Sequence, residues 1–137
     1  MQIDTIINRI KSEGCCFYLL EFKDANTVKS IEKHILDFFY EKQYEIDTSF
    51  FKLQPEENNK NITIDQIRKM KREFLHTNVL NLKRIIFISE INYLNINALN
   101  GLLKIIEEIP INTYFIFCSS NLINVPETII SRARIIK

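Results

Sequence analysis

Ala98-Leu-Asn-Gly-Leu-Leu-Lys-Ile-Ile-Glu-Glu-Ile-Pro110, followed by Asn112-Thr-Tyr-Phe-Ile-Phe-Cys-Ser-Ser-Asn121, decides how this chain is built. In the first stretch Leu99, Leu102, Leu103 and Ile106 recur at helical spacing, and the helix must end before Pro110. In the second, Tyr114 to Cys118 is an unbroken apolar run, the pattern of a strand buried on both faces. Ahead of both lies Arg84-Ile-Ile-Phe-Ile-Ser-Glu90, whose Ile85–Ile88 segment is the strongest strand signal in the chain. Behind them Ser131-Arg132 leads into a last strand-like run from Arg134 to Lys137. Strands alternating with helices predict a parallel α/β sheet covered on both faces.

The alternation extends toward the N-terminus. Ile3, Ile6, Ile7 and Ile10 make one helical face, with Gly14 as a stop. Phe17–Leu20 suits a short buried parallel strand. Asn26 or Thr27 can cap the next helix, striped by Val28, Ile31, Ile35, Phe38 and Phe39. Tyr44 to Leu53 alternates in part and predicts a half-buried strand. Gln54 to Asn61 is polar and reads as a surface loop. Thr63 and Gln66 form a capping-box pair for a helix lined by Ile64, Ile67, Met70, Phe74 and Leu75. Pro126 suits the first turn of a short helix. No repeat, low-complexity tract or linker interrupts the pattern, so residues 1–137 read as one domain.

Composition narrows the functional classes. A formal charge of +1 supplies no broad basic field, so it does not by itself argue for nucleic acid. No apolar run is long enough to cross a bilayer. Met1-Gln-Ile-Asp has neither a basic leader nor a cleavable apolar segment, so a cytoplasmic protein is expected. The 3 cysteines cannot all pair: Cys15 and Cys16 are adjacent, and Cys118 lies in an apolar run, which points to reduced thiols. His34 and His76 are isolated, and neither a metal-ligand set nor a nucleophile–base pair stands out. The chain stops inside a strand-like segment, which suggests a piece of a longer protein.

In combination, the helix Asn97–Pro110, the strand after it and Ser131-Arg132 resemble the clamp-loader AAA+ subunits of bacteria, and most nearly the delta-prime type of DNA polymerase III. The helix follows that family's N-A-L-L-K-x-L-E-E-P pattern, with Gly101 in place of alanine and Ile109 before the proline. The resemblance is specific from about Asn61 to Arg134; before that the order of elements agrees but the residues do not. It implies a parallel five-stranded sheet flanked by helices, the P-loop NTPase/AAA+ core, without the family's lid and collar domains.

Against that family, the nucleotide site looks degenerate. A phosphate loop, G-x-x-x-x-G-K-[ST], holds phosphates with backbone amides at a helix start. Lys29-Ser30 matches its end, but Lys23 and Val28 stand where glycines are needed. Glu21, Phe22 and Asp24 also sit where polyphosphate would lie. Lys29-Ser30 is therefore a helix-surface pair or a remnant that still binds ATP. After Ile85–Ile88 the family's Asp-Glu is Ser89-Glu90, and serine is a poor magnesium ligand. Glu90 is either a solvated carboxylate or retains a role. Asn121 falls at the family's γ-phosphate sensor, but without a phosphate it reads as a turn residue.

Thr128-Ile-Ile-Ser131-Arg132-Ala133 resembles the family's Ser-Arg-Cys motif, whose arginine enters the ATP site of the adjacent subunit. That resemblance implies a trans role for Arg132, with Arg134 a weaker alternative; the plain reading is a surface arginine at a helix end. Arg68, Lys69, Lys71 and Arg72, with Lys83 and Arg84 further along, read as a solvated face or as contacts to a nucleic-acid backbone. Gln54 to Asn61 lacks the cysteines of the family's zinc module, so no metal and no bound cofactor are expected. The resemblance thus implies a non-hydrolysing subunit that joins gamma/tau-type ATPase subunits and a delta-type subunit and meets primer–template DNA through the assembled complex. An active gamma-type NTPase, or an interaction domain outside replication, are the rival readings.

Overall fold

The structure, a computed structural model, describes residues 3–13, 16–75 and 82–137. Strands β1 (Phe17–Glu21), β2 (Phe50–Leu53), β3 (Arg84–Ile88), β4 (Thr113–Ser119) and β5 (Arg134–Ile136) form one sheet in the order β2-β3-β4-β1-β5. Every neighbouring pair is parallel. Helices α1 (Ile3–Ser12), α2 (Ala25–Phe39), α3 (Gln43–Ser49), α4 (Ile64–Phe74), α5 (Ile96–Glu107) and α6 (Glu127–Ile130) flank it. The expected five-stranded parallel α/β sheet is therefore present. The expectations placed on Met1, Gln2, Gly14, Cys15 and His76 lie outside the described residues.

The apolar runs are continuous because both faces of the sheet are covered. On one face Leu19, Ile86, Ile88, Phe115 and Phe117 pack with Ile67 and Met70 of α4, Leu102 and Ile106 of α5, and Ile129 of α6. On the other, Tyr18, Leu20, Ile85, Phe87, Ile116 and Cys118 pack with Ile6 and Ile10 of α1 and Ile31 and Ile35 of α2. Alternate residues of one strand thus enter different cores. Thr63 and Gln66 make the expected reciprocal cap of α4. Gly101 faces α4, where an added Cβ would lie 2.5 Å from Ile64 Cδ1, so the bare backbone lets the helices approach.

Several local expectations are corrected. Only Phe50–Leu53 of the predicted strand Tyr44–Leu53 is extended; Gln43–Ser49 is helix α3. Glu45 and Ile46 both donate their amides to the Lys42 carbonyl, and Gln43 bonds Asp47 one turn on. Tyr44 is exposed while Ile46 packs on the core, so the apparent alternation was part of a helical period. Asp24, not Asn26 or Thr27, caps α2. Pro126 occupies the cap position ahead of α6 rather than its first turn.

Arg84 does not share the solvent face of Lys83. Its side chain is only 6% exposed, since the first residue of a central strand already lies under α4. Nη1 donates to the Phe74 carbonyl and Nη2 to the Ile111 carbonyl, each at 3.3 Å. Burial pulls its pKa down from the usual guanidinium range. Tyr40, at the end of α2, donates its hydroxyl between the carbonyls of Lys83 (2.6 Å) and Ser49 (3.0 Å), tying α2 to β3 and α3.

Arg84→Met should lower stability by about 1–3 kcal/mol in urea unfolding, because the backbone carbonyls of Phe74 and Ile111 lose a charged donor. Alkaline pH should also destabilise the fold. Burial pushes the Cys118 thiol up to about 12 and raises the Tyr40 phenol as well. Both groups prefer the protonated form in the native state, so their contribution is complete below the unfolded thiol value of 9.0 and is lost as pH rises toward 12. The unfolding free energy obtained from urea denaturation should fall across that window, by up to about 1.4 kcal/mol per pH unit per group. Cys118→Ala should flatten part of the slope.

Candidate functional site

β1 leads by way of α2 to one edge of the sheet, and β4 leads by way of α6 to the other. Their C-terminal ends therefore flank the crevice where parallel α/β sheets place ligands. A cavity of about 280 Å³ opens there, lined among others by Phe22, Val28, Lys29, Lys52, Glu90 and Tyr93. These residues come from α2 and from segments at or after the ends of β1, β2 and β3, so the fold alone assembles them.

Asp24, between the lining residues Lys23 and Ala25, caps the start of α2. Its carboxylate accepts the Asn26 amide at 2.9 Å. Its carbonyl accepts the amides of Thr27 (3.1 Å) and Val28 (3.3 Å). The amides of Asn26, Thr27 and Val28 thus have partners within the chain, and an anionic side chain caps the positive end of the helix. Lys29 and Ser30 lie further along α2 rather than at its start. Lys29 lines the cavity; Ser30 does not, and its carbonyl bonds the His34 ring at 2.7 Å. Phe22 and Val28 make part of the wall apolar, and Lys52 is paired with Glu32 at 2.8 Å.

Ser89 and Glu90 follow β3 into the same cavity. Glu90 is neither freely solvated nor without partners. Oε1 accepts from the Asn92 amide (3.2 Å) and side chain (2.8 Å), and Oε2 accepts the Ser120 amide at 2.9 Å. It caps the 3-10 turn Ile91–Tyr93 and fastens the loop after β4. Glu21 does the same from β1, accepting the Leu122 amide at 3.0 Å. Asn121 is the turn residue its sequence position suggests: its side chain caps Leu122–Asn124 through the Ile123 amide at 3.0 Å. Sequence reading missed the capping roles of Asp24, Glu21 and Glu90. For Asp24 the signal was present, an acid directly before an apolar-periodic run; for Glu21 and Glu90 the partners are supplied by other loops. Among the described residues no group of three or more His, Cys, Asp or Glu side chains is placed to hold a metal ion. No described helix is long and apolar enough to cross a membrane.

Arg132 lies at the opposite end of the sheet. It follows α6 and precedes β5, whose Arg134 is opposite Tyr18 in β1. The cavity begins beyond Glu21, and Arg134 alone is already set back from that level by about 10 Å at the usual strand rise, with Arg132 in the turn before it. Its side chain is 38% exposed; Nη1 donates to the Thr128 carbonyl at 2.8 Å and Nη2 meets Glu107 at 3.4 Å. Arg134 pairs with Glu13 at 3.4 Å.

A family model described as DNA polymerase III, delta subunit, matches residues 22–137. A comparison with curated proteins found no match. Among solved structures, a DNA polymerase III gamma subunit-related protein from Thermotoga maritima superposes with a TM-score of 0.81 at 21% identity, covering 99% of this chain and 45% of that one. The DNA clamp loader delta protein of Bacillus subtilis superposes with a TM-score of 0.64 at 15% identity, covering 98% of this chain and 42% of that one. At such identities the likeness is one of fold, and this chain spans less than half the length of either structure. The match across residues 22–137 goes further than the fold: the chain belongs to the DNA polymerase III delta-subunit family of clamp-loader-related proteins.

Proposed function

We propose that residues 1–137 form the AAA+ core of a delta-prime-like clamp-loader subunit, which hydrolyses no ATP itself and lends Arg132 to the ATP of an adjacent subunit. The observation that carries this reading is the state of the α2 amides. Asn26, Thr27 and Val28 already donate to Asp24, so a triphosphate would have to displace a carboxylate from the helix start. The missing acid at Ser89 and the use of Glu90 as a loop fastener support the same conclusion from the other side of the cavity.

Arg132 suits a role in trans because it is remote from the cavity of its own chain. Its contacts to Glu107 and Thr128 are exposed. A surface pair of this kind contributes about 0–1 kcal/mol, so the guanidinium can be drawn away by a stronger anion. A phosphoryl group in transfer is such an anion, and arginine presents it with planar, paired donors. The partners in this reading are gamma/tau-type ATPase subunits and a delta-type subunit; the assembled complex opens a sliding clamp and sets it on primed DNA.

In a reconstituted loader containing the full-length subunit, Arg132→Ala should depress DNA-stimulated ATPase activity by roughly 10³-fold, and Arg134→Ala by far less. Unchanged turnover in Arg132→Ala would remove that residue from the mechanism. Titration of the isolated chain with magnesium–ATP should show no binding in the micromolar range; such binding would favour a gamma-type ATPase instead. Glu90→Ala should lower stability by about 1–3 kcal/mol and speed hydrogen exchange at the Ser120 amide, as expected of a carboxylate that fastens a loop.

A further inference from the structure

Two arginines follow α6, and each is held by an acid from a different part of the fold. Arg134 pairs with Glu13 at 3.4 Å. The Glu13 side chain is only 26% exposed and serves two further donors, Arg9 Nε at 3.2 Å and the Tyr18 hydroxyl at 3.3 Å. Arg134 is thereby tied to the joint between α1 and β1. Arg132 pairs instead with Glu107, the last residue of α5, at 3.4 Å, and that carboxylate is 56% exposed. Among the described residues Arg132 is the only ionic partner of Glu107.

Glu107 does not favour its own helix. A carboxylate in the last turn faces the negative end of the helix dipole and weakens the helix. Its favourable ionic contact is with Arg132, 25 residues further along the chain. The other bond of the guanidinium, from Nη1 to the Thr128 carbonyl at 2.8 Å, is to the backbone of the turn that carries Arg132 and moves with it. Glu107 is therefore the one side chain that fixes where Arg132 points. An unshared, solvated pair of this sort contributes little to the fold and exchanges readily for a stronger anion.

We propose that Glu107 restrains Arg132: it holds the guanidinium on the chain's own surface and competes for it with the phosphoryl group of the neighbouring subunit's ATP. The inference rests on the trans role of Arg132 given above. A carboxylate and a phosphoryl oxygen ask for the same donors, and an Nη2 turned to Glu107 is not turned to phosphate. A carboxylate that merely oriented Arg132 would have to stay beside the phosphoryl group once ATP was bound, and two like charges would then share one guanidinium. Because the pair is weak, the restraint is partial. Part of the assembled population has Arg132 on Glu107, and the rest has it on the phosphoryl group.

Steady-state ATPase measurements on a loader reconstituted with the full-length subunit test the proposal. Glu107→Ala should raise kcat roughly two- to fivefold, the range set by an exposed pair. Glu107→Gln, which keeps an oxygen for Nη2 but loses the charge, should fall between Glu107→Ala and the unaltered chain. In an Arg132→Ala background Glu107→Ala should change nothing, because the two residues act as a pair. A gain in turnover is not what damage to the fold produces, so it separates restraint from a structural role. Unchanged or lower kcat in Glu107→Ala would overturn the proposal, as would the same gain without Arg132. If Arg132→Ala alone leaves turnover unchanged, the trans role falls and this inference with it. If Arg132→Ala depresses turnover but Glu107→Ala does not raise it, the inference falls alone.

Discussion

β4 lies between β1 and β3, although it follows both in the chain. Phe115 and Phe117 stand opposite Phe17 and Leu19 on one side and opposite Ile86 and Ile88 on the other. Strands so placed have both faces and both edges covered, and each apolar side chain withdrawn from water contributes on the order of 1.5–3 kcal/mol. The same placement brings the ends of β1, β3 and β4 together. Glu21, Glu90 and the loop Ser119–Asn121 meet there because the core has already set their strands in register.

At that junction the polar groups are arranged to satisfy one another. Glu90 accepts from Asn92 and Ser120, Glu21 from Leu122, and Ser119 closes onto Asn121. Asp24 satisfies the start of α2. A ligand-binding α/β crevice ordinarily leaves helix amides available to an anion. Here the chain's own carboxylates and carbonyls use them, and an anionic ligand would have to compete with charge of its own sign. The remaining cavity is walled in part by Phe22, Val28 and Tyr93 and carries the closed pair Glu32–Lys52.

Charge is also available elsewhere on the surface. Arg132 projects beyond α6 with weak, exposed partners, and Lys71 and Lys104 line the seam of α4 and α5. The two lie outside the crevice and face outward. Exposed pairs are readily exchanged for better ones, whereas the buried Arg84 is held by carbonyls from two segments and serves the fold.

By itself the sequence determined the sheet, because unbroken apolar runs as short as Ile85–Ile88 and Tyr114–Cys118, alternating with helical patterns, suit strands covered on both faces, and helical stripes such as Leu99, Leu102 and Ile106 supply the cover. It also determined local caps such as Thr63–Gln66, whose partners lie within one turn. It could not separate helix from strand between Tyr44 and Leu53, where the partial alternation reads as one strand until the structure shows Tyr44 exposed and Ile46 packed on the core. Nor could it reveal the burial of Arg84 or the use of Glu21 and Glu90 as fasteners. Those depend on contacts between loops and strands far apart in the chain, such as Glu21 with Leu122, and only the strand order brings such groups within hydrogen-bonding distance.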